Sequence, residues 1–299
     1  MLVVGCDRPK PPSHQAPPRV VRYGPARELA TLADRSINES SGLAVSWRQP
    51  GLLWTHNDSG DGPELFAIDH QGKTRARLWI DGAQARDWED MCSFQLDQKA
   101  WLLIADTGDN DRRRKILTLY LVEEPVVDFT AQTSQRLRTR PTQVIRLRYS
   151  DGCHDVESIA FDVSTRTIYL LTKRSLRKCL YALTLPVEND PDRTHILSPV
   201  GVVADLYSPN AMDISSDGQL AVICTYRHAF LYSRRDDQTW PEALAGRPTM
   251  VRLPKRRQGE SICFGRDGRT LFLTSEKNPA PLWQLDVLPP SAPSGKASK

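Results

Sequence analysis

The chain has 299 residues, 39% hydrophobic and 25% charged, a balance that suits one sizeable globular domain and excludes a disordered chain. Its net charge of +4 is only mildly basic, and there is neither a basic helix nor a basic low-complexity arm, so we expect no nucleic-acid partner. No apolar stretch is long enough to span a membrane as a helix.

The first residues resemble the end of a bacterial lipoprotein signal. Apolar residues precede Cys6, which would become the lipidated N-terminus, and a Pro-rich linker follows it. The rest of such a signal would lie upstream of Met1. We therefore expect a lipid anchor at Cys6, the only contact with a membrane, and a location in the bacterial envelope (the periplasm) or outside the cell. The expected regions are a signal remnant with linker over residues 1–18, one domain over 19–288 and a disordered tail over 289–299.

Five short stretches repeat one pattern from residue 41 onward. Each opens with an oxygen-bearing side chain, continues into a mainly apolar strand and is followed by two further strands. The copies recur every roughly 50 to 70 residues, which is typical of the blades of a β-propeller. The opening stretches are residues 41–45, 89–93, 157–161, 210–214 and 260–264.

A fourth strand is predicted in every repeat but the last, where the chain turns into two prolines at 289–290. An unpaired edge there would invite association, and residues 19–23 or 28–32 are free to supply the missing strand. The sequence therefore predicts an all-β fold, a five-bladed propeller closed by an N-terminal strand. Six blades is the runner-up, because the long connection over 123–141 leaves room for a weak blade. No convincing amphipathic helix is expected. The predicted fourth strands are residues 76–80, 142–148, 200–203 and 249–253.

The first strand of each blade lines the central channel of a propeller, so the residues that open these strands meet at one mouth. Three of the five are glutamates, and three carboxylates in a narrow channel repel one another unless a cation lies among them. Oxygen ligands suit Ca²⁺, and the absence of paired His or Cys argues against zinc. The alternative is that the glutamates only bond backbone amides. The predicted ligands are Ser41, Glu89, Glu157, Asn210 and Glu260.

Two loops rich in Asp, Asn and Gly, residues 56–62 and 106–115, open on the same face. Ordinary tight turns explain such residues, but the second loop holds more Asp and Asn than a turn needs. The competing hypothesis is a second divalent-cation site formed by Asp58, Asp106 and Asp109.

The remaining loops on this face are basic. An acidic centre surrounded by Arg and Lys suits a site at which a cation and the protein share an anionic substrate, with phosphate the obvious candidate. The alternative is a set of solvated loop charges. The predicted substrate-binding residues are Arg113, Lys173, Arg174, Arg227 and Lys277.

The motifs WTHNDSGD at 54–61, DWED at 87–90 and DTGDN at 106–110 resemble a family of uncharacterised bacterial exported propeller proteins. This resemblance covers residues 37–125 and implies the fold and an envelope location, with no activity. The stretches at 155–161 and 259–264 are also similar to inner strands of phytase-like, lactonase-like and calcium-dependent apyrase propellers. That similarity implies that Ser41, Glu89, Glu157 and Glu260 bind calcium, with Asn210 the departure.

Two hypotheses for the function follow. The first is an extracytoplasmic calcium-binding propeller that hydrolyses a small anionic substrate, a phosphate ester first and a lactone second. The second is a non-catalytic, lipid-anchored scaffold that binds a protein or a glycan, because the fold alone does not decide function. We expect a monomer in both cases, and a Cys153–Cys179 disulfide would fit an oxidising compartment. The candidate catalytic bases are Asp87, Asp90 and His56, with Arg113, Lys173 and Arg227 as charge stabilisers.

Overall fold

The computed structural model of the chain describes residues 21–187, 190 and 192–289. The expected linker at 1–18, the anchor residue Cys6 and the tail from residue 290 onward lie outside these residues. In chain order the first strands are β1 Arg27–Thr31, β2 Ser40–Val45, β3 Leu52–Asn57, β4 Glu64–Asp69, β5 Thr74–Ile80, β6 Trp88–Leu96, β7 Lys99–Asp106, β8 Leu117–Glu123, β9 Gln135–Thr139, β10 Gln143–Tyr149 and β11 Val156–Asp162. They are followed by β12 Thr167–Thr172, β13 Lys178–Thr184, β14 Thr194–Leu197, β15 Pro199–Val203, β16 Ala211–Ile214, β17 Leu220–Cys224, β18 His228–Ser233, the short helix α1 Trp240–Leu244, β19 Thr249–Arg252, β20 Cys263–Phe264, β21 Leu271–Leu273 and β22 Pro281–Leu285.

These strands form five sheets, which are the blades of a β-propeller. The inner strands are β2, β6, β11, β16 and β20, in the order of blades 1 to 5, and each contacts the next around the ring. The strands of a blade then follow outward in antiparallel pairing. The prediction of an all-β, five-bladed propeller is confirmed, and the six-bladed alternative is wrong.

The N-terminal strand closes the ring. β1 pairs antiparallel with β22, from Arg27 opposite Gln284 to Thr31 opposite Pro281, and so becomes the outer strand of blade 5. A bridge between Tyr23 and Val287 extends this contact. The closing strand thus overlaps the second of the two segments that the sequence offered for it.

The connections between third and fourth strands reach back to the preceding blade. β9 pairs in parallel with β5 on blade 1, β14 pairs in parallel with β10 on blade 2, and α1 packs against β15 on blade 3. Each covers an outer edge that would otherwise expose unpaired backbone groups. The long connection at 123–141 therefore completes blade 1 and forms no blade of its own.

Helix α1 was not expected from the sequence, although a signal for it is present. Thr239 accepts a hydrogen bond from the backbone N–H of Glu242, and the Glu242 carboxylate accepts one from the backbone N–H of Thr239. This reciprocal capping box, Ser or Thr followed three residues later by Glu, is a recognised start signal for helices.

The hydrophobic core is divided into five clusters, and each fills the space between two neighbouring blades. Between blades 2 and 3, for example, Phe94 and Phe161 stack with their ring centroids 3.8 Å apart. Between blades 1 and 2, the buried Glu124 carboxylate accepts hydrogen bonds from the Trp54 indole N–H and the Trp47 amide. These contacts fix the blades around the central mouth.

The cysteines in the described residues are unbonded. Cys153 and Cys179 lie partly exposed without a bond between them, so the disulfide considered from the sequence is not formed. Cys92, Cys224 and Cys263 are buried in strands, as expected. Within the described ranges, no helix is long and apolar enough to cross a membrane.

Candidate metal centre at the mouth of the ring

Strand register shows which residues occupy equivalent positions in the five blades. We call the residues that begin the repeated pattern the strand openers: Ser41, Glu89, Glu157, Asn210 and Glu260. The residue two places after a strand opener pairs with a residue of the second strand, as Leu43 does with Thr55 and Met91 with Ile104. The same register holds in blades 3 and 4, and the pairing of Cys263 with Phe272 is in line with it in blade 5. Three residues beyond each of these partners stands a second set of equivalent residues at the same mouth. This second ring is Asp58, Thr107, Lys173, Tyr226 and Glu276.

The strand openers form the first ring, and all five are at most 3% exposed. Carboxylate oxygens of Glu89 and Glu157 lie within 4.8 Å of each other. The Lys173 ammonium connects Glu157 to the third glutamate, because it donates a hydrogen bond to Glu157 and lies 3.8 Å from Glu260 Oε1. The three glutamates therefore face a shared space. Their role as metal ligands stays a prediction.

Carboxylates from both rings and from neighbouring loops come close enough to hold a metal ion. Three groups each offer oxygen atoms within 4.8 Å of one another: Asp58 with Asp87 and Glu89, Asp58 with Glu260 and Glu276, and Glu89 with Asp155 and Glu157. Asp58 and Glu89 each belong to two groups, so the three are continuous. We refer to the seven residues Asp58, Asp87, Glu89, Asp155, Glu157, Glu260 and Glu276 as the acidic cluster.

Lys173 supplies one cation inside this cluster. Its side chain is 6% exposed, and its ammonium lies 5.2 Å from the centroid of the Tyr226 ring. Burial alone would lower the pKa of Lys173, but Glu157 and Glu260 outweigh it and raise that pKa above its ordinary value. The sequence placed Lys173 in an exposed loop, facing substrate; the structure places it between two glutamates.

One lysine does not neutralise the cluster. Burial, followed by repulsion from Asp87 and Glu260, raises the pKa of Asp58 to about 7. Burial raises the pKa of Glu157 to about 8 in spite of Lys173, and burial with the neighbouring Glu260 raises that of Glu276 to about 9. For Glu260 itself, burial is outweighed by the hydrogen bond from Glu276 and by Lys173, so its pKa falls. The cluster thus holds protons near neutral pH where a divalent cation would replace them.

Orphaned oxygen atoms at the mouth fit such a cation. Asp58 Oδ1, Glu276 Oε1 and Asn210 Oδ1 are buried without a hydrogen-bond partner among the described residues. A buried polar atom left unsatisfied costs about 1–3 kcal/mol. Since all three are oxygens, the group that they suit is a hard cation such as Ca²⁺. Asn210 is held in place by its Nδ2, which donates to the Gly259 carbonyl.

Gly108 in the DTGDN motif allows the cluster to form. A Cβ at this position would lie 2.2 Å from Glu89 Oε1 and 2.5 Å from Asp87 Oδ2. Only glycine lets both carboxylates pack onto the loop backbone. The backbone N–H of Gly108 also donates to the Asp87 carbonyl.

The two other aspartates of this motif order the loop. Asp106 accepts hydrogen bonds from the Asp87 amide and the Arg114 guanidinium, and Asp109 accepts from the amides of Arg113 and Arg114. Among the described residues, no group close enough to hold an ion contains Asp106 or Asp109. The structure thus brings Asp58 into the acidic cluster and does not assemble the second site that loop composition suggested.

Two of the three candidate bases are closed off from solvent. Asp90 is fully buried, and its Oδ2 accepts the backbone N–H groups of Ile159 and Met212, which ties three inner strands together. His56 is also fully buried, and burial lowers its pKa to about 4. Both side chains lie buried in the wall around the mouth, so the structure brings neither of them to its open side. Asp87, half-exposed, remains at the mouth.

Of the predicted anion-binding residues, three contact the acidic cluster. Besides Lys173, Arg174 Nε lies 2.6 Å from Asp155 Oδ2, and Lys277 Nζ lies 3.6 Å from Glu276 Oε2. Arg113 is exposed and lies 3.8 Å from Asp111. Arg227 is exposed on blade 4.

The first ring's remaining member, Ser41, donates its hydroxyl to the Glu89 carbonyl at 2.5 Å, so it joins blades 1 and 2 at the mouth. Sequence reasoning missed Asp155, Glu276 and Tyr226. Two repeat signals point to them: Asp87 and Asp155 both stand two places before a strand-opening glutamate, and Tyr226 and Glu276 belong to the second ring.

No protein-family model matches the chain, and no curated protein matches it in sequence. Among solved structures, it is similar to the hydrazine synthase of Kuenenia stuttgartiensis, with 10% identity, a TM-score of 0.44 and coverage of 84% of this chain and 72% of that one. It is also similar to a gluconolactonase of Xanthomonas campestris, with 14% identity, a TM-score of 0.43 and coverage of 91% and 99%. Similarity at this level concerns the fold alone.

Proposed function

We propose that the acidic cluster binds a divalent cation, Ca²⁺ by its oxygen donors, and that the protein is an extracytoplasmic hydrolase of an anionic ester. The observation that carries this proposal is the group formed by Asp58, Asp87 and Glu89, whose oxygens lie within 4.8 Å of one another. Lys173 pairs with Glu157 and Glu260, so its ammonium forms no ion pair with any of these three residues.

The same group is the one that a substrate can reach. Asp58 and Asp87 are half-exposed, whereas Asp155 and Glu157 are buried. Carboxylates with one open side suit a catalytic ion better than a sealed structural one. A bound Ca²⁺ there would polarise a phosphoryl or carbonyl oxygen and acidify a water molecule.

Other side chains at the mouth suit the remaining steps. Arg174 and Lys277 are each 49% exposed at its edge, where they can hold the anionic group. Glu276, whose Oε1 is buried without a hydrogen-bond partner in the described part of the chain, lies close enough to Asp58 to share the cation. His56 and Asp90 have no part in this scheme.

A second function is favoured by one specific observation. Lys173 already neutralises part of the cluster from within, so the ring can be stable without a catalytic ion. This suits a non-catalytic scaffold, lipid-anchored at Cys6, whose loops bind a protein or a glycan.

Calorimetric titration of the EDTA-treated protein with CaCl₂ and MgCl₂ tests cation binding. We expect Ca²⁺ to bind the wild-type protein. We expect this binding to be lost in the variants Asp58→Asn and Glu89→Gln. The matched control is Asp237→Asn, at an exposed aspartate that pairs with Arg235 and lies outside the acidic cluster. Heat identical in all four proteins would refute the site.

Hydrolysis is tested separately, with p-nitrophenyl phosphate, bis(p-nitrophenyl) phosphate and gluconolactone, each with Ca²⁺ or EDTA. We expect calcium-dependent turnover of a phosphate ester. Calcium binding without turnover of any of the three would favour the scaffold.

A further inference from the structure

A second recess lies on blade 4, beside the mouth. Its volume is about 410 Å³, within the range that holds small ligands. One wall is the segment that follows β15, and the other is the turn between β17 and β18. The lining residues are Asp205, Tyr207, Thr225, Tyr226, Arg227, His228 and Phe230.

Aromatic rings stand exposed in this recess. Tyr207 is 84% exposed and Tyr226 is 37% exposed, while His228 and Phe230 are half-buried with their ring centroids 6.4 Å apart at 59°. Exposed aromatic surface that is gathered in one place usually marks a site of interaction. A Tyr ring supplies an apolar face and a polar hydroxyl edge at little entropic cost.

The backbone beside Tyr207 is held in an uncommon conformation. Asp205 has φ 56° and Ser208 has φ 49°, both in the left-handed region that residues other than glycine rarely adopt. Such conformations concentrate at ligand-binding sites, because the surrounding structure has to enforce them. Here they bracket the ring of Tyr207 and present it to solvent.

We propose that this recess binds the pyranose ring of a saccharide. A pyranose has an apolar C–H face, which stacks on an aromatic ring, and a rim of hydroxyl groups, which need both donors and acceptors. Asp205 supplies acceptors and Arg227 supplies donors on opposite walls. His228 and Phe230 are inclined at 59° to each other, so they do not form a pair of parallel faces that would hold a flat nucleobase between them.

Tyr226 connects the recess to the acidic cluster. Its ring lines the recess and also lies 5.2 Å from the Lys173 ammonium, which is bonded to Glu157. A phosphate on the bound sugar would therefore face the mouth of the ring. This step rests on the proposed function and makes the substrate a phosphorylated saccharide; the binding of the sugar ring does not depend on it.

The test is saturation-transfer NMR and calorimetry on the full chain with maltose, cellobiose and chitobiose, and with AMP as the competing class. We expect one of the disaccharides to bind, and Tyr207→Ala to weaken it roughly three- to tenfold, the loss of one stacked ring. Tyr207→Phe should retain binding. Val126→Ala, at a residue 64% exposed and outside the recess, is the control for surface changes.

The inference is overturned by any of three results: no binding of the three disaccharides at millimolar concentration, equal binding by Tyr207→Ala, or preferential binding of AMP. Failure of the hydrolase proposal gives a different pattern. In that case the disaccharide still binds through Tyr207. The nitrophenyl esters, and glucose 1-phosphate added as a phosphorylated sugar, are then not hydrolysed in the presence of Ca²⁺.

Discussion

At the scale of single residues, Lys173 determines the electrostatics of the mouth. It is the one lysine or arginine in the second ring, and its ammonium bonds Glu157 while approaching Glu260. A buried ion pair is weak evidence for stability, but removal of one partner leaves an uncompensated charge. The mouth therefore depends on Lys173 most when no other cation is bound.

Lys173→Met should lower the free energy of unfolding by about 3 kcal/mol in EDTA, because two buried glutamates lose their cation. Saturating Ca²⁺ should recover part of that loss. Urea denaturation with and without Ca²⁺ measures both effects. Lys115→Met, at an exposed lysine, provides the comparison. If Lys173→Met lowered the free energy of unfolding no more than Lys115→Met does, the ion pair between Lys173 and Glu157 would not contribute to stability.

The acidic cluster also predicts an unusual pH dependence. The ordinary pKa is 3.8 for Asp58 and 4.5 for Glu276, and the folded protein raises them to about 7 and about 9. Between its unfolded and its folded pKa, each of these two carboxyl groups binds more protons in the folded state, so together they contribute stability that is lost as pH rises from about 4 to about 9 in EDTA. The proposed Ca²⁺ would bind the deprotonated carboxylates, so its addition should remove or reverse this slope.

Denaturant midpoints in EDTA at about pH 5, 7 and 9 measure the slope. Glu276→Gln should flatten the upper half of the range, since an amide has no proton to lose. A stability that rises with pH over the whole range, as it does for ordinary paired carboxylates, would show that the carboxylates of the cluster do not destabilise the folded protein when they are ionised.

At the scale of elements, the loop between β7 and β8 shapes the group formed by Asp58, Asp87 and Glu89. Asp106 and Asp109 fold the loop through backbone amides, and Gly108 lies directly under Asp87 and Glu89. The motif thus acts through its shape more than through its charge. This explains why a loop so rich in Asp and Asn contributes neither Asp106 nor Asp109 to the groups of close carboxylates among the described residues.

Gly108→Ala should weaken Ca²⁺ binding at least roughly tenfold, because the new Cβ would displace the Asp87 and Glu89 carboxylates. Calorimetry measures the affinity, and circular dichroism checks that the fold persists. Gly24→Ala is the matched change, since the nearest atom to its Cβ would be the flexible end of Leu288 at 3.3 Å, with the Asp286 carbonyl oxygen at 3.7 Å in ordinary contact. Unchanged affinity in Gly108→Ala would place the ion elsewhere.

The sequence predicted the elements better than their cross-contacts. The strand openers could be found because every blade repeats the same pattern of apolar residues. The parallel strands β9 and β14 could not, because they pair with a blade other than their own and no local pattern records that. Likewise, nothing in the basic run after β12 shows that Lys173 turns inward while Arg174 stays half-exposed.

At the scale of the whole molecule, stability depends on closure of the ring. The five core clusters lie between blades, so each blade needs a neighbour on both sides. β1 provides the outer strand of blade 5 and so joins the first strand of the described chain to the last. Loss of that strand would leave the edge of β22 unpaired.

A variant that starts at residue 32 should therefore melt roughly 10 °C or more below one that starts at residue 21, and should form oligomers through β22. Differential scanning fluorimetry and size-exclusion chromatography with light scattering measure the two effects. Equal melting temperatures and a monomeric short variant would show that blade 5 is stable with three strands.

The pairing of β1 with β22 has a consequence for how the protein is made. Arg27–Thr31 leaves the ribosome early, yet the partner that it needs is translated last among the strands. Until β22 has been synthesised, the segment Arg27–Thr31 therefore lacks its partner strand and has to avoid pairing with the edge of another blade. A chain truncated anywhere before β22 cannot close the ring. Such truncated chains should therefore be degraded by proteases and should not accumulate as folded protein.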